Sequence, residues 1–183
     1  MDKEQWEEKY RSNPIGQIPD PAALLRNNTR LFSGGTALDM AMGMGQNAVF
    51  LASHGYDVTG VDRSAGAVTL AQEHADKNGV SLRAVAQDMA TFGIDENSYD
   101  MIVAFYFLER SLFPEIKKGL KKNGLVFFET YTAAQAGLGG PKNPDFLLKP
   151  NELLCAFLDF FIVFYHERTS GGKAIASLIA RKV

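Results

Sequence analysis

The chain predicts an α/β fold: a doubly wound, mostly parallel, seven-stranded sheet closed by a C-terminal antiparallel hairpin. Three observations carry that expectation. Short apolar runs alternate with helix-periodic segments from residue 36 to 129, the pattern of parallel strands joined by right-handed crossovers. An acid stands at the end of each of the first three runs, at Asp39, Asp62 and Asp88. Beyond these, the runs 160–166 and 173–181 are joined only by Glu167–Gly172, too short for a crossover helix, so they pair as a hairpin.

Each element has its own signal. Thr36-Ala37-Leu38 is the first strand, and Asp39–Gly45 turns through Gly43 and Gly45 into a helix over Gln46–Ser53. Such a strand-to-helix turn gathers free N–H groups and the positive end of a helix dipole in one crevice. Glycine suits it because a Cβ would block a ligand from the backbone. Tyr56–Val61 is the second strand, ending at Asp62, and Ser64 is an N-cap for a helix from Ala65 to about Lys77. Leu82–Ala86 is the third, followed by Gln87-Asp88-Met89. Tyr99–Phe105 is nearly continuous in apolar residues, as in a strand buried on both faces. A helix is expected over Ser111–Lys122 from the spacing of Leu112, Phe113, Ile116 and Leu120, stopped by Asn123-Gly124. Leu125–Phe128 is then the fifth strand, ending at Glu129.

The acids suggest a ligand. In sheets of this kind a carboxylate ending the second strand accepts hydrogen bonds from ribose hydroxyls. One ending the third can accept from the exocyclic amine of a purine. Any one acid alone is equally a cap for its turn; three on one rim point to a nucleoside-bearing molecule.

Composition narrows the class. The chain has 183 residues, enough for one core that buries about 70% of its unfolded surface. Apolar residues make up 46% and charged residues 22%, with net charge −2, so no basic excess favours nucleic acid. Lys117, Lys118 and Lys121 read as the solvated face of a helix. Cys155, beside Leu154 and Phe157, reads as a core position; it has no partner for an internal disulfide, which agrees with a reducing compartment. The start, Met1–Gln5, lacks the apolar stretch of a signal peptide, and the apolar runs Met101–Leu108 and Phe160–Tyr165 are too short to span a bilayer. A cytoplasmic protein is therefore expected. No His/Cys/Asp spacing suggests a metal. His54 and His74 read as surface residues of helices, and His166 as an ordinary strand-end residue.

The motifs together resemble those of class I S-adenosylmethionine-dependent methyltransferases, and within that class the tellurite-resistance-type branch. The resemblance runs from about Trp6 to the C-terminus. It rests on Ala37-Leu38-Asp39 with Gly43-x-Gly45-x-Asn47-Ala48, on Val58–Asp62 and on Gln87-Asp88. Later matches are Leu108-x-Arg110, Asn123-Gly124-Leu125, Glu129-Thr130-Tyr131 and Leu148-Lys149-Pro150-Asn151-Glu152-Leu153. Ala41 stands where the class often has glycine, a variant familiar in this branch. Met42 and Gln46 depart from a common cysteine and a common arginine.

The resemblance implies a Rossmann-like domain that binds S-adenosylmethionine and methylates a small acceptor, a soft oxyanion such as tellurite or selenite or a small thiol. The turn Asp39–Gly45 would hold the methionine end, with the backbone of Ala41 on the amino group. Asp62 would take the ribose, with Arg63 beside the adenine; Gln87, Asp88 and the Met89 amide would meet the base, and Phe105 would lie near the sulfonium. Methyl transfer to an already nucleophilic acceptor needs alignment and a dry site rather than a metal or a base. Tyr106, Arg110, Glu129 and Tyr131 are the acceptor-facing candidates, with Arg110 the choice for an anion or, alternatively, a surface partner of Glu109 or Glu115. The whole chain is expected as one domain: an N-terminal lid segment 1–32, a cofactor-binding core 33–129, and a substrate loop with the closing hairpin, 130–183. Residues 132–149, rich in glycine and proline with few core positions, would cover the substrate together with Trp6–Pro21. Gly43-Met44-Gly45-Gln46-Asn47-Ala48 also satisfies the dinucleotide fingerprint, so the rivals are a nicotinamide-dependent oxidoreductase and a non-catalytic nucleoside-binding module.

Overall fold

A computed structural model describes residues 18–183. Seven strands, β1 (Gly35–Met40), β2 (Tyr56–Asp62), β3 (Arg83–Ala86), β4 (Tyr99–Phe105), β5 (Leu120–Tyr131), β6 (Phe161–Ser170) and β7 (Lys173–Arg181), form one sheet in the order β3-β2-β1-β4-β5-β7-β6. The helices are α1 (Ala23–Arg26), α2 (Gln46–Ser53), α3 (Ala65–Lys77), α4 (Leu112–Gly119) and α5 (Glu152–Ala156). The α/β architecture with its closing antiparallel hairpin is the one the sequence predicts. The chain divides after Gly93 into two compact units.

In the first unit β1, β2 and β3 pair in parallel, Met40 beside Val61 and Asp62 beside Ala86. The Gln87 amide continues that ladder by donating to the Asp62 carbonyl at 2.9 Å. Helix α2 buries Ala48, Val49 and Leu51, while α3 buries Ala67, Ala71 and Ala75, one small residue per turn. That small stripe lets the turn before α2 approach α3: a Cβ on Gly45 would lie 2.8 Å from that of Ala71. Ser64 caps α3 as expected, its hydroxyl accepting from the Ala67 amide at 3.1 Å.

The second unit holds β4 and β5 in parallel, with β5 also against β7 and β7 against β6, both antiparallel. Several expectations change here. The helix expected to run to Lys122 ends at Gly119, because the Asn97 and Ser98 amides take the Lys118 and Gly119 carbonyls at 3.0 and 2.9 Å. Leu120 then joins β5 opposite Tyr99, and a bulge through Asn123, at φ 67°, brings Leu125 opposite Met101. The six-residue connection of the hairpin tightens to the two residues Gly171 and Gly172, both at positive φ as a primed turn requires, so β6 reaches Ser170.

Cys155 is exposed, not a core residue. Leu153 and Phe157 point inward from the same turn, which leaves the residue midway between them facing out. Residues 132–149 form two 3₁₀ turns, Ala133–Leu138 and Pro144–Phe146, and do contribute to the interior: Gln135, Leu147 and Leu148 are buried. Of the lid segment expected over Trp6–Pro21, all but Ile18–Pro21 lies outside the described residues. No helix among the described residues is long and apolar enough to cross a membrane.

Candidate active site

The carboxyl ends of the first unit's strands carry most of the residues singled out for the cofactor. Between Met40 and α2 the backbone alternates through left-handed conformations at Ala41 (φ 54°), Gly43 (φ 57°) and Gly45 (φ 75°). Backbone bonds hold this coil from within the unit: the Met42 amide donates to the Val61 carbonyl at 3.0 Å and the Gly45 amide to the Met42 carbonyl at 3.1 Å. A left-handed alanine is strained by about 1–2 kcal/mol. Strain of this kind persists where the surroundings dictate the conformation.

Asp62 is buried beneath the turn. One carboxylate oxygen accepts from the Gly43 amide at 2.8 Å and the other from the Ser64 amide at 2.9 Å. The acid therefore ties the glycine turn to the start of α3. Asp39 is also buried, but its Oδ2 has no hydrogen-bond partner among the described residues. Burial, reinforced by the nearby charge of Asp62 and only partly offset by a hydrogen bond from the Ala48 backbone, pushes its carboxyl up to about 8. A buried acid raised so far is a place where a cation would be well received.

Gln87, Asp88 and Met89 follow β3. Asp88 is exposed and accepts from the Ala90 amide at 3.0 Å; the Gln87 side chain donates to the Thr91 carbonyl at 2.9 Å. Met89 is buried, and Arg63 is exposed beside Asp62. Sequence reasoning missed two supports. Asn47, buried at the start of α2, accepts from the Ala22 amide at 2.8 Å. His74 was expected at the surface, yet it is half-buried, and its Nδ1 has no partner among the described residues; burial lowers its pKa, the Met44 backbone working against that shift. The i, i+3 spacing from Ala71 was the available signal for the latter. His54 is exposed, as expected; His166 is exposed within β6 rather than at a strand end, because the strand runs on to Ser170.

In the second unit Phe105 is buried at the end of β4, and the three candidates Tyr106, Glu129 and Tyr131 come together. Tyr106 adopts φ 56°, its amide donates to the Glu129 carbonyl at 2.8 Å, and its ring lies 5.1 Å from that of Tyr131. Glu129 is buried: Oε1 accepts from the Tyr106 hydroxyl at 3.3 Å and Oε2 from the Ser177 hydroxyl at 2.6 Å. Lys173 Nζ donates to the same Tyr106 oxygen at 3.4 Å and sits 5.0 Å from the ring centroid. Burial and the neighbouring Glu129 push the Tyr106 phenol up to about 12. Ser177 and Lys173 carried no sequence signal beyond their place on the last strand.

Arg110 does not stand with them. Its guanidinium binds Glu152 through Nε (2.5 Å) and Nη2 (3.0 Å), and donates to the Asp145 and Leu147 carbonyls at 2.9 and 2.8 Å. The fork expected to hold an anion, or to pair with Glu109 or Glu115, clamps residues 145–152 instead. Glu152 also accepts from the Lys149 amide at 2.7 Å, and the pair lowers the Glu152 carboxyl below its ordinary value.

Residues 37–124 match the family described as a methyltransferase domain. That match covers a little under half of the chain, which over this stretch is similar to methyltransferase domains. The chain is 27% identical over 172 residues to the probable S-adenosyl-L-methionine-dependent methyltransferase TehB of Haemophilus influenzae, covering 90% of this chain and 57% of that protein. It is 28% identical over 197 residues to the ubiquinone biosynthesis O-methyltransferase of Glaesserella parasuis, with 91% and 84% covered. The chain thus spans a little over half the length of TehB. The crystal structure of Haemophilus influenzae TehB superposes with a TM-score of 0.77 at 23% identity, over 99% of this chain and 67% of that one. A geranyl diphosphate C-methyltransferase from Streptomyces coelicolor, solved with S-adenosyl-L-homocysteine, reaches 0.68 at 15% identity, over 84% and 72%. These likenesses are of fold, and they bear out the α/β class closed by an antiparallel hairpin.

Proposed function

We propose that this protein binds S-adenosylmethionine at the carboxyl ends of β1 to β3 and transfers its methyl group to a small acceptor. One observation supports this above the others: a buried acid, Asp39, with an oxygen that has no partner among the described residues, beside a left-handed glycine turn that Asp62 holds in place. That pairing suits a ligand with a cationic amino end and a ribose. When bound, S-adenosylmethionine supplies a methyl group on a sulfonium, already activated for in-line displacement. The chain's own residues then have binding work to do. Asp39 and the Ala41 backbone face the amino group, Asp62 accepts from the ribose, and Gln87, Asp88 and the Met89 amide meet the adenine beside Arg63. The acceptor is proposed to be a soft oxyanion such as tellurite or selenite, or a small thiol. Tyr106, Glu129 and Tyr131 form its side of the chemistry, and Arg110 is reassigned to holding the loop. The reading treats residues 1–183 as one functional domain that acts in the cytoplasm, without nucleic acid, membrane or metal.

Calorimetry with S-adenosylhomocysteine tests it. Asp62→Ala should weaken binding by about 2–3 kcal/mol, because two ribose hydroxyls lose a charged acceptor. Unchanged affinity in that variant would remove Asp62 from the site.

A further inference from the structure

The polar chain at Tyr106 has a direction. An ammonium can only donate and a carboxylate only accepts, so Lys173 donates to the Tyr106 oxygen and Tyr106 donates to Glu129. Ser177 donates to the other Glu129 oxygen. The carboxylate lies between two strands, Glu129 opposite Phe105 on β4 and opposite Ser177 on β7, so its place is set by the sheet. Tyr106 projects from it with a half-exposed ring, held by a left-handed backbone and a bond to the Glu129 carbonyl. A hydroxyl that leads from solvent to a buried carboxylate, with its proton already aimed inward, is arranged as a proton relay. The other groups facing the phenol are Tyr131 and Arg168, neither of which competes for the inward proton.

We propose that Tyr106 and Glu129 relay a proton away from an acceptor that arrives protonated, with Tyr106 as the catalytic residue and Glu129, braced by Ser177, as the residue that positions it. The inference rests on the methyltransferase reading above. The acceptor X–H takes the place of the Lys173 ammonium at the Tyr106 oxygen. As X gains the methyl group and the sulfonium sulfur keeps the electron pair of the broken bond, the proton on X passes to Tyr106 Oη. The phenolic proton passes in the same step to the Glu129 carboxylate. Glu129 ends protonated, Tyr106 ends neutral, and charge balances because the sulfonium positive charge and the carboxylate negative charge both disappear. The phenol is too weak an acid to stand ionised as a base, which is why the carboxylate behind it is needed.

Three proteins decide this: wild type, Tyr106→Phe and Glu129→Gln. Glutamine is isosteric and can donate to Tyr106, which reverses the bond. With 2-mercaptoethanol, a thiol protonated at neutral pH, kcat should fall by about 100-fold or more in both variants. With thiophenol, largely ionised at neutral pH, the loss should be under about tenfold, since no proton has to leave. Glu129→Asp should recover part of the 2-mercaptoethanol rate. Equal losses for the two thiols, or no turnover of either by wild type that binds S-adenosylhomocysteine, would overturn the relay. A readout independent of turnover is the 13Cζ shift of Tyr106 at neutral pH, assigned with Tyr106→Phe. It should move in Glu129→Gln as the phenol changes from donor to acceptor, and an unmoved resonance overturns the relay alone. Failure of wild type to bind S-adenosylhomocysteine would instead overturn the methyltransferase reading.

Discussion

Asp39 is where a single residue has the most consequence. Its carboxyl is raised to about 8 in the folded chain and returns to about 4 on unfolding. Between those values the folded state binds the proton more strongly than the unfolded one. Stability is therefore lost as pH rises through that window, the reverse of a salt-bridged acid. Asp39→Asn, which cannot ionise, should flatten this dependence and make the free protein more stable than wild type at pH 8. Denaturant unfolding at pH 5 and pH 8 measures it, and identical slopes for the two proteins would refute the shift. Cofactor binding should move the other way. A cationic amino group favours the ionised acid, so affinity for S-adenosylhomocysteine should improve from pH 6 to pH 8 in wild type and not in Asp39→Asn.

At the level of elements, two devices hold strand ends in place. The first is the close approach of the glycine turn to α3. Gly45→Ala would set a Cβ 2.8 Å from the Ala71 methyl in a left-handed conformation, at a cost of about 2–3 kcal/mol. The variant's midpoint in urea reports that directly. The second is the Arg110 clamp on residues 145–152. The pair is part exposed, so the ionic contribution is small, and most of the loss in Arg110→Ala comes from the freed Asp145 and Leu147 carbonyls: about 1–2 kcal/mol in all. Amide exchange at Phe146 and Leu147 should accelerate in that variant while β4 and β5 stay protected. If exchange across 144–148 does not change, Arg110 is not what holds the loop.

At the scale of the whole molecule, ligand binding and stability are one measurement. A native-state ligand at 100 times its Kd adds about 2.7 kcal/mol, so S-adenosylmethionine and S-adenosylhomocysteine should each raise the melting temperature by several degrees. NAD at the same concentration should leave it unchanged. A larger shift with NAD would favour the dinucleotide reading of Gly43–Ala48.

The parts of the fold that local chemistry decides were legible from the residues. The alternation of apolar runs, the Ser64 cap and the Asp39, Asp62 and Asp88 strand ends follow from side-chain period and turn preference, which neighbouring residues in the chain set among themselves. The helix end at Gly119 was not, because Asn97 and Ser98 supply its cap from another segment. Nor was the fate of Arg110: a guanidinium five residues beyond a strand could meet an anion, Glu109 or Glu115, and only the folded loop brings Glu152 within 2.5 Å. The same holds for Ser177, which lies 48 residues from Glu129 and meets it through antiparallel register. The sequence by itself determined the alternation of strands and helices, the closing hairpin and the acids that stand at the strand ends. Tertiary structure decided which polar groups are spent holding loops and which remain to face a ligand, because hydrogen-bond partners are chosen by proximity in space.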